Sequence, residues 1–167
     1  ICEHCISIYN QTMQRDNAEE YYYFQEEFYK AIHDYLKGNY QVFYATLDDQ
    51  IIAVSIILYA NKQMHYHLSG SLSEYRSFAP TNLLLYEVAL WGHQEGYKTF
   101  HLGGGLGSGN DNLYKFKAAF NRKSGLQFSI GKQIFNQALY NQLVEERLAE
   151  DPNFDLEGKY FPLYRAK

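Results

Sequence analysis

The run His101-Leu-Gly-Gly-Gly-Leu-Gly-Ser-Gly-Asn-Asp111 continues into Asn112-Leu-Tyr-Lys-Phe-Lys-Ala-Ala-Phe120, which sets a strand end, a glycine loop and a lysine-bearing helix side by side. Glycines let backbone amides approach a ligand and adopt positive φ. The helix start behind them offers unpaired N–H groups to an anion or oxyanion. Attack of an amine on an ester or thioester builds an oxyanion, and a preorganised cation or amide aimed at it contributes about 3 kcal/mol. Gly103, Gly104 and Gly105 are candidate amide donors, Lys117 is the candidate cation, and Tyr114 and Phe116 supply stacking surface. The alternative is a mobile glycine-rich surface loop followed by a solvated lysine. Two other glycine-loop chemistries are excluded by the residues. No Gly-Lys-Ser/Thr follows the loop, and Gly105-x-Gly107-x-Gly109 is not G-x-G-x-x-G.

Other reactive side chains are sparser. Cys2 and Cys5 form a C-x-x-C with His4 between them, but these are the only two cysteines, and no second pair completes a zinc site. No redox context accompanies them, so no metal is expected, and two cysteines suit a reducing cytoplasm. His65 and His67 share a strand face and could chelate a metal, although histidines bonded to backbone are the commoner outcome. His67, His101 and Tyr75 are three candidate proton relays for an attacking amine, and the sequence does not choose among them.

These groups need elements to position them. Tyr9 to Met13 and Ala18 to Leu36 carry apolar and aromatic residues at three- and four-residue spacings, which predicts an amphipathic helical region stopped by Gly38-Asn39. Tyr40 to Leu47, Asp48-Asp49 and Gln50 to Tyr59 read as a hairpin. Met64 to Ser69 is a third strand, and a loop from Ser69-Gly70-Ser71 leads to Pro80 and a helix from Thr81 to Glu95, ended by Gly96. Thr99 to Leu102 enters the glycine loop as a strand parallel to the third. Gln127 to Ile130 with Gln133 to Phe135 predicts a late strand and Ala138 to Ala149 a helix, while Gly158 to Arg165 could close a sheet edge. The aromatic run Tyr21 to Phe24 must present rings to more than one side of its helix, which marks it for a groove, another domain or a partner.

Composition sets the class. The chain has 167 residues and a net charge of -4. That length fits one domain with a sizeable core. An acidic total argues against a protein that coats nucleic acid. The charge is uneven, however: residues 1–60 hold nine acids, whereas residues 112–133 hold Lys115, Lys117, Arg122, Lys123 and Lys132 and no acid. That basic patch could meet phosphates. No apolar run reaches the roughly eighteen residues of a membrane span, and no signal-peptide pattern is present. Ile1 is not an initiator Met, so a segment upstream is expected.

A helical start, antiparallel strands, then strand, helix and strand diverging around a cleft resembles the GNAT acyltransferase plan. More specifically, the chain resembles the second GNAT-like domain of the FemABX peptidoglycan-bridge aminoacyltransferases and their acetyltransferase-annotated relatives. The resemblance rests on Tyr9-x-x-Thr12-Met13-x-Arg15, Tyr21 to Phe24, Tyr66-His-Leu-Ser-Gly-Ser71, Tyr75-Arg76 with Pro80, and Gly96-Tyr97. It rests above all on His101-Leu-Gly-Gly followed by Leu113-Tyr-Lys-Phe-Lys117 and Phe120.

The resemblance implies an α/β (α+β) fold: a mixed, mostly antiparallel sheet with helices on both faces and a V-shaped opening between two parallel strands. It implies a single GNAT-like domain over residues 1–167, the C-terminal half of a longer two-domain protein with an upstream GNAT-like domain. The expected activity is transfer of an aminoacyl or acyl group, from charged tRNA or acyl-CoA, to an amine of a cell-wall peptide precursor or another envelope acceptor. The work would be cytoplasmic, at the inner membrane surface where such precursors sit. In that scheme Lys117 steadies charge at the acyl carbon, Phe116 stacks on the tRNA acceptor end, and Arg76 meets the phosphorylated precursor. Ser69, Ser71, Tyr75 and Gly103 to Gly105 line the substrate. The chain departs from the acetyl-CoA enzymes of the superfamily at Ser69 to Pro80, where Q/R-x-x-G-x-G/A is missing. Acetyl-CoA is therefore expected to bind weakly there. The alternative function is a non-catalytic GNAT-like module that completes a substrate site with a partner domain.

Overall fold

The structure, a computed structural model, describes residues 1–106 and 109–166; Gly107 and Ser108 of the glycine run lie outside them. The chain forms two compact units, residues 1–123 and 124–167.

The first unit is built on a four-stranded sheet of order β1-β2-β3-β4, with β1 Tyr40–Leu47, β2 Gln50–Ala60, β3 Gln63–Ser71 and β4 Thr99–His101. β1, β2 and β3 are antiparallel neighbours, whereas β4 runs parallel to β3. Two-residue turns join the antiparallel strands, and all four turn residues, Asp48, Asp49, Asn61 and Lys62, have positive φ. That backbone matches the right-handed twist of the flanking strands. The mixed sheet with a single parallel pair is the one expected from the sequence.

Helices cover both faces. α1 Glu3–Arg15 buries Cys5, Ile8, Tyr9 and Thr12, one stripe at three- and four-residue spacing. With Val54 and Leu72, Cys5 and Ile8 make the core on one side of the sheet. α3 Pro80–Gln94 places Leu84 and Val88 against Ala53, Ile57 and Met64 on the other side. β2 lies between the two layers, so Ile52 to Ile57 are all buried, as expected of a strand covered on both faces. At Gly70 the sheet and α1 come so close that a Cβ would lie 2.7 Å from the Ile8 carbonyl oxygen and 2.8 Å from the Tyr9 Cα.

One helical expectation is corrected. Ala18 to Leu36 is not continuous: Asn17 takes φ 49°, a short 3-10 turn spans Glu20–Tyr22, and α2 covers only Glu26–Tyr35. The aromatic run explains the break. Phe24 stacks on Phe28 at 4.1 Å and on Tyr9 at 6.1 Å, while the Tyr9 hydroxyl donates to the Tyr22 carbonyl at 2.9 Å. Four consecutive rings on a helix would point around its circumference. Leaving the helix folds Phe24 inward and leaves Tyr21 77% exposed.

The second unit carries α5 Gln137–Glu150, capped by the Asn136 side chain, and a short 3-10 turn at Leu163–Arg165. Tyr140 organises it, stacking on Phe161 and accepting the Leu163 N–H at 2.9 Å. Two expectations fail here. Gln127 to Ile130 and Gln133 to Phe135 form no strand, because a strand requires a neighbour for its backbone groups and none lies beside them among the described residues. Gly158 to Arg165 forms no strand, and its Phe161 and Tyr164 pack on Tyr140 of α5.

Candidate active site

The parallel pairing of β3 and β4 lasts three rungs, Gln63 with Thr99, Met64 with Phe100 and His65 with His101. Beyond His65 the strands part. β3 continues to Ser71 along β2, while β4 ends at His101 and the chain turns through Gly103, whose φ is +75°. A fork therefore opens just past the two histidines. β3 is irregular at this point: Ile56 pairs with Leu68 and Ile57 with Tyr66, so His67 is an extra, unpaired residue in the ladder. Such a bulge re-aims side chains.

The far arm of the fork is held by α4 Asn112–Ala118. Asp111 caps α4, accepting from the Tyr114 amide at 2.7 Å and reaching back to the Leu106 amide at 2.8 Å. These two amide bonds, the Tyr114 one first, hold the Asp111 carboxyl below its ordinary value. Gly105 has to be glycine, because a Cβ there would run into the Asp111 carboxylate and the Gly109 carbonyl. The sequence reading passed over Asp111, although an aspartate just ahead of an aromatic-lysine run is an N-cap signal.

Lys117 points back from α4 into the fork. Its Nζ donates to the Gly104 carbonyl at 2.8 Å and lies 5.8 Å from the centre of the Tyr66 ring. The side chain is half-buried, and the loss of water lowers its pKa, partly offset by the Asp111 carboxylate. Lys115, two residues away, is exposed. The helix thus separates two lysines that the sequence offers together.

Where the fork begins, His65 Nδ1 and His101 Nδ1 are 3.0 Å apart, and the rings are inclined by 22°. Two facing ring nitrogens at that distance hold one proton between them: one donates and the other accepts. Burial, followed by the neighbouring His101, His67 and Lys117, lowers the His65 pKa. His67 is lowered by burial alone and packs 6.3 Å from the Phe28 ring. Among the described residues, no group of three or more His, Cys, Asp or Glu is arranged to hold a metal ion.

The remaining candidates divide. Gly103, Gly104, Lys117 and His101 come together at the fork, with Phe116 on the same short helix, edge-on to Phe120 at 5.5 Å. Ser69 and Ser71 lie along the continuing arm of β3, and both are engaged in the fold. The Ser69 hydroxyl donates to the Val54 carbonyl at 2.9 Å. The Ser71 amide donates to the Thr12 hydroxyl at 2.9 Å, and its carbonyl accepts from Arg15 at 2.8 Å. Tyr75 and Arg76 belong to a 3-10 turn, Ser73–Phe78, where the Tyr75 hydroxyl donates to Gln50 at 2.7 Å and Arg76 is exposed.

A divergent parallel strand pair in a mixed sheet with helices on both faces makes the first unit an α/β domain. Residues 3–118 match the family described as "Acetyltransferase (GNAT) domain", and the chain belongs to that family. The matched segment falls within the first compact unit. The fold is similar to that of the aminoglycoside acetyltransferase meta-AAC0020, from an uncultured soil metagenomic sample and solved with sisomicin. The TM-score is 0.56 and the identity 11%, over 79% of this chain and 86% of that one. It is also similar to the aminoglycoside acetyltransferase HMB0005, likewise from an uncultured soil metagenomic sample, with a TM-score of 0.54 and 9% identity over 78% and 88% of the two chains. No curated protein matches the chain. No helix among the described residues is long and apolar enough to cross a membrane.

Proposed function

We propose that this GNAT domain is an N-acyltransferase whose donor is an aminoacyl-tRNA or an acyl-CoA and whose acceptor is an amine of a cell-wall or other cell-envelope precursor. The observation that carries the reading is the Lys117 ammonium, held in the fork between β3 and β4 by the Gly104 carbonyl. A lysine fixed in this way can stabilise the oxyanion that forms when an amine attacks an acyl carbonyl, with little reordering at the moment of reaction. An ammonium carries three N–H donors, and Gly104 takes one of them.

The entry to α3 bears on the donor. The Tyr75 amide donates to the Leu72 carbonyl, the Ala79 amide to Arg76 and the Asn82 amide to Ala79, while Pro80 has no N–H to give. Amides engaged in this way are poorly placed to cradle a pyrophosphate. That favours a carrier gripped elsewhere and supports the aminoacyl-tRNA reading, with Phe116 as the stacking surface. Longer architecture, with this chain as the C-terminal half of a two-domain enzyme, belongs to the same proposal.

The second reading is a binding module that completes a partner domain's site, favoured by the outward-facing Tyr21. Mass-spectrometric transfer assays on the full protein separate the two, using acyl-CoAs and charged tRNA as donors and muropeptide precursors and sisomicin as acceptors. Transfer with a defined donor and amine supports the enzyme. Thermal stabilisation by the same ligands without any transfer supports the module.

A further inference from the structure

We propose that His101 is the proton acceptor of the acyl transfer and that His65 is its positioning residue, the two sharing one proton across their Nδ1 atoms. The inference rests on the acyl-transfer reading of the Lys117 fork and goes on to name the group that receives the amine's proton.

Geometry carries it. The two imidazoles occupy the last rung before β3 and β4 part, so they stand at the closed end of the gap into which Lys117 points. His101 is exposed and His65 is half-buried. With the Nδ1 atoms 3.0 Å apart, only one proton fits between them. Desolvation makes His65 the poorer home for a positive charge. His101 is the ring open to an incoming amine, so the arrangement that serves the reaction has His101 Nδ1–H donating to the half-buried His65 Nδ1, which leaves His101 Nε2 with a free lone pair. Aspartate does the same for histidine in a hydrolytic triad; a neutral imidazole does it without adding negative charge beside Lys117.

The step balances. The amine nitrogen forms a bond to the acyl carbon, and the carbonyl π pair moves to oxygen beside the Lys117 ammonium. The nitrogen's extra proton passes to His101 Nε2. Collapse of the intermediate breaks the bond to the carrier, whose oxygen or sulfur leaves as an anion and takes that proton back. The charged and titratable groups facing the pair are His67 on β3 and Lys117 on α4, and Asp111 at the α4 cap acts on Lys117 in turn. The Lys117 cation disfavours protonation of His65.

Activity and NMR test the proposal together in the full protein. His101→Gln should lower kcat by roughly a hundredfold or more and abolish the acidic limb of the pH–rate profile, and added imidazole should restore part of the rate. His65→Asn, whose side-chain oxygen can still accept the His101 Nδ1–H, should retain most activity, whereas His65→Leu should lose activity and shift the acidic limb. Nitrogen-15 NMR of the imidazoles reads the pair without turnover. One Nδ1–H shared by the two rings is the expected spectrum. Two rings titrating independently would overturn the pairing even if no substrate were turned over. An active enzyme whose pH profile is unchanged in His101→Gln would overturn the catalytic role while leaving the Lys117 reading intact.

Discussion

Replacing Lys117 with Met removes the ammonium while keeping a side chain of similar length against Tyr66. The folded state loses one hydrogen bond, from Nζ to the Gly104 carbonyl. Gly104 is exposed, so water takes over that carbonyl and the stability cost stays at or below about 1 kcal/mol. The transition state loses more. A single oxyanion donor contributes about 2.7–4 kcal/mol, and because Lys117 is only half-buried the lower end applies, which corresponds to about a hundredfold in kcat. Lys115→Met is the control, since it deletes the same charge from the exposed side of α4. Single-turnover and steady-state kinetics with the active donor and acceptor should show the loss in kcat for Lys117→Met alone. The alkaline limb offers a second check. Desolvation lowers the Lys117 pKa, so the ammonium, and the activity with it, should disappear below the pH expected of an ordinary lysine. Equal, small rises in KM for both variants with unchanged kcat would mean that the helix is a basic binding patch and that the oxyanion role is wrong.

Gly70→Ala should destabilise the first unit by about 1–3 kcal/mol, because its Cβ meets the backbone of Ile8 and Tyr9, which cannot swing aside; an unchanged thermal midpoint would contradict the close approach. Cys2 and Cys5 should behave differently on replacement by Ser: Cys2→Ser improves the cap that already accepts the Cys5 amide, whereas Cys5→Ser places a hydroxyl in a buried core and should cost about 1–3 kcal/mol, with metal content unchanged in both; stoichiometric zinc lost in the double variant would argue otherwise. His65 and His67 have lowered folded-state pKa values, so the unfolded chain takes up protons first and stability should fall as pH drops below about 6.5 until the folded values are passed. Urea unfolding from pH 7.5 to 5 reads this, and a double His→Asn variant as pH-sensitive as the wild type would refute it. Calorimetry with acetyl-CoA should show weak or no binding; tight one-to-one binding abolished by altering Ser69 or Ser71 would show that the loop to Pro80 cradles a pyrophosphate after all.

The sheet was legible because its signals are local. Polar pairs flanked by β-branched runs mark hairpins, and a helix-containing crossover implies the parallel pairing of β3 and β4. The resemblance pointed to Lys117, and the glycine loop before it to its surroundings, but that its ammonium folds back onto the Gly104 carbonyl is seen only in the structure. The break before α2 was not legible, since Tyr21 to Phe24 satisfy helical periodicity and only the stacking of Phe24 on Phe28 and Tyr9 shows that they leave the helix. Ser69 and Ser71 looked like ligand contacts for a related reason. Thr12, Arg15 and Val54, which engage them, are distant in sequence, so their structural use is invisible until α1 is docked. Gln127 to Ile130 with Gln133 to Phe135 read as a strand, but a local run alone cannot supply an edge for it to join.

The two arms of the fork differ in stiffness. The β3 arm is laced to β2 along its length, and its tip at Ser71 is tied down by Thr12 and Arg15, so α1 replaces the neighbour that β4 ceases to be. Among the described residues the β4 arm has no such ladder past His101. The contacts that hold it include Asp111 on the Leu106 amide and Lys117 on the Gly104 carbonyl. One of those contacts is made by the same ammonium that an acyl oxygen would recruit. If an acyl oxygen is bound at Lys117 as proposed, it competes for the ammonium that holds the β4 arm, whereas the ties of the β3 arm to β2 and α1 are untouched.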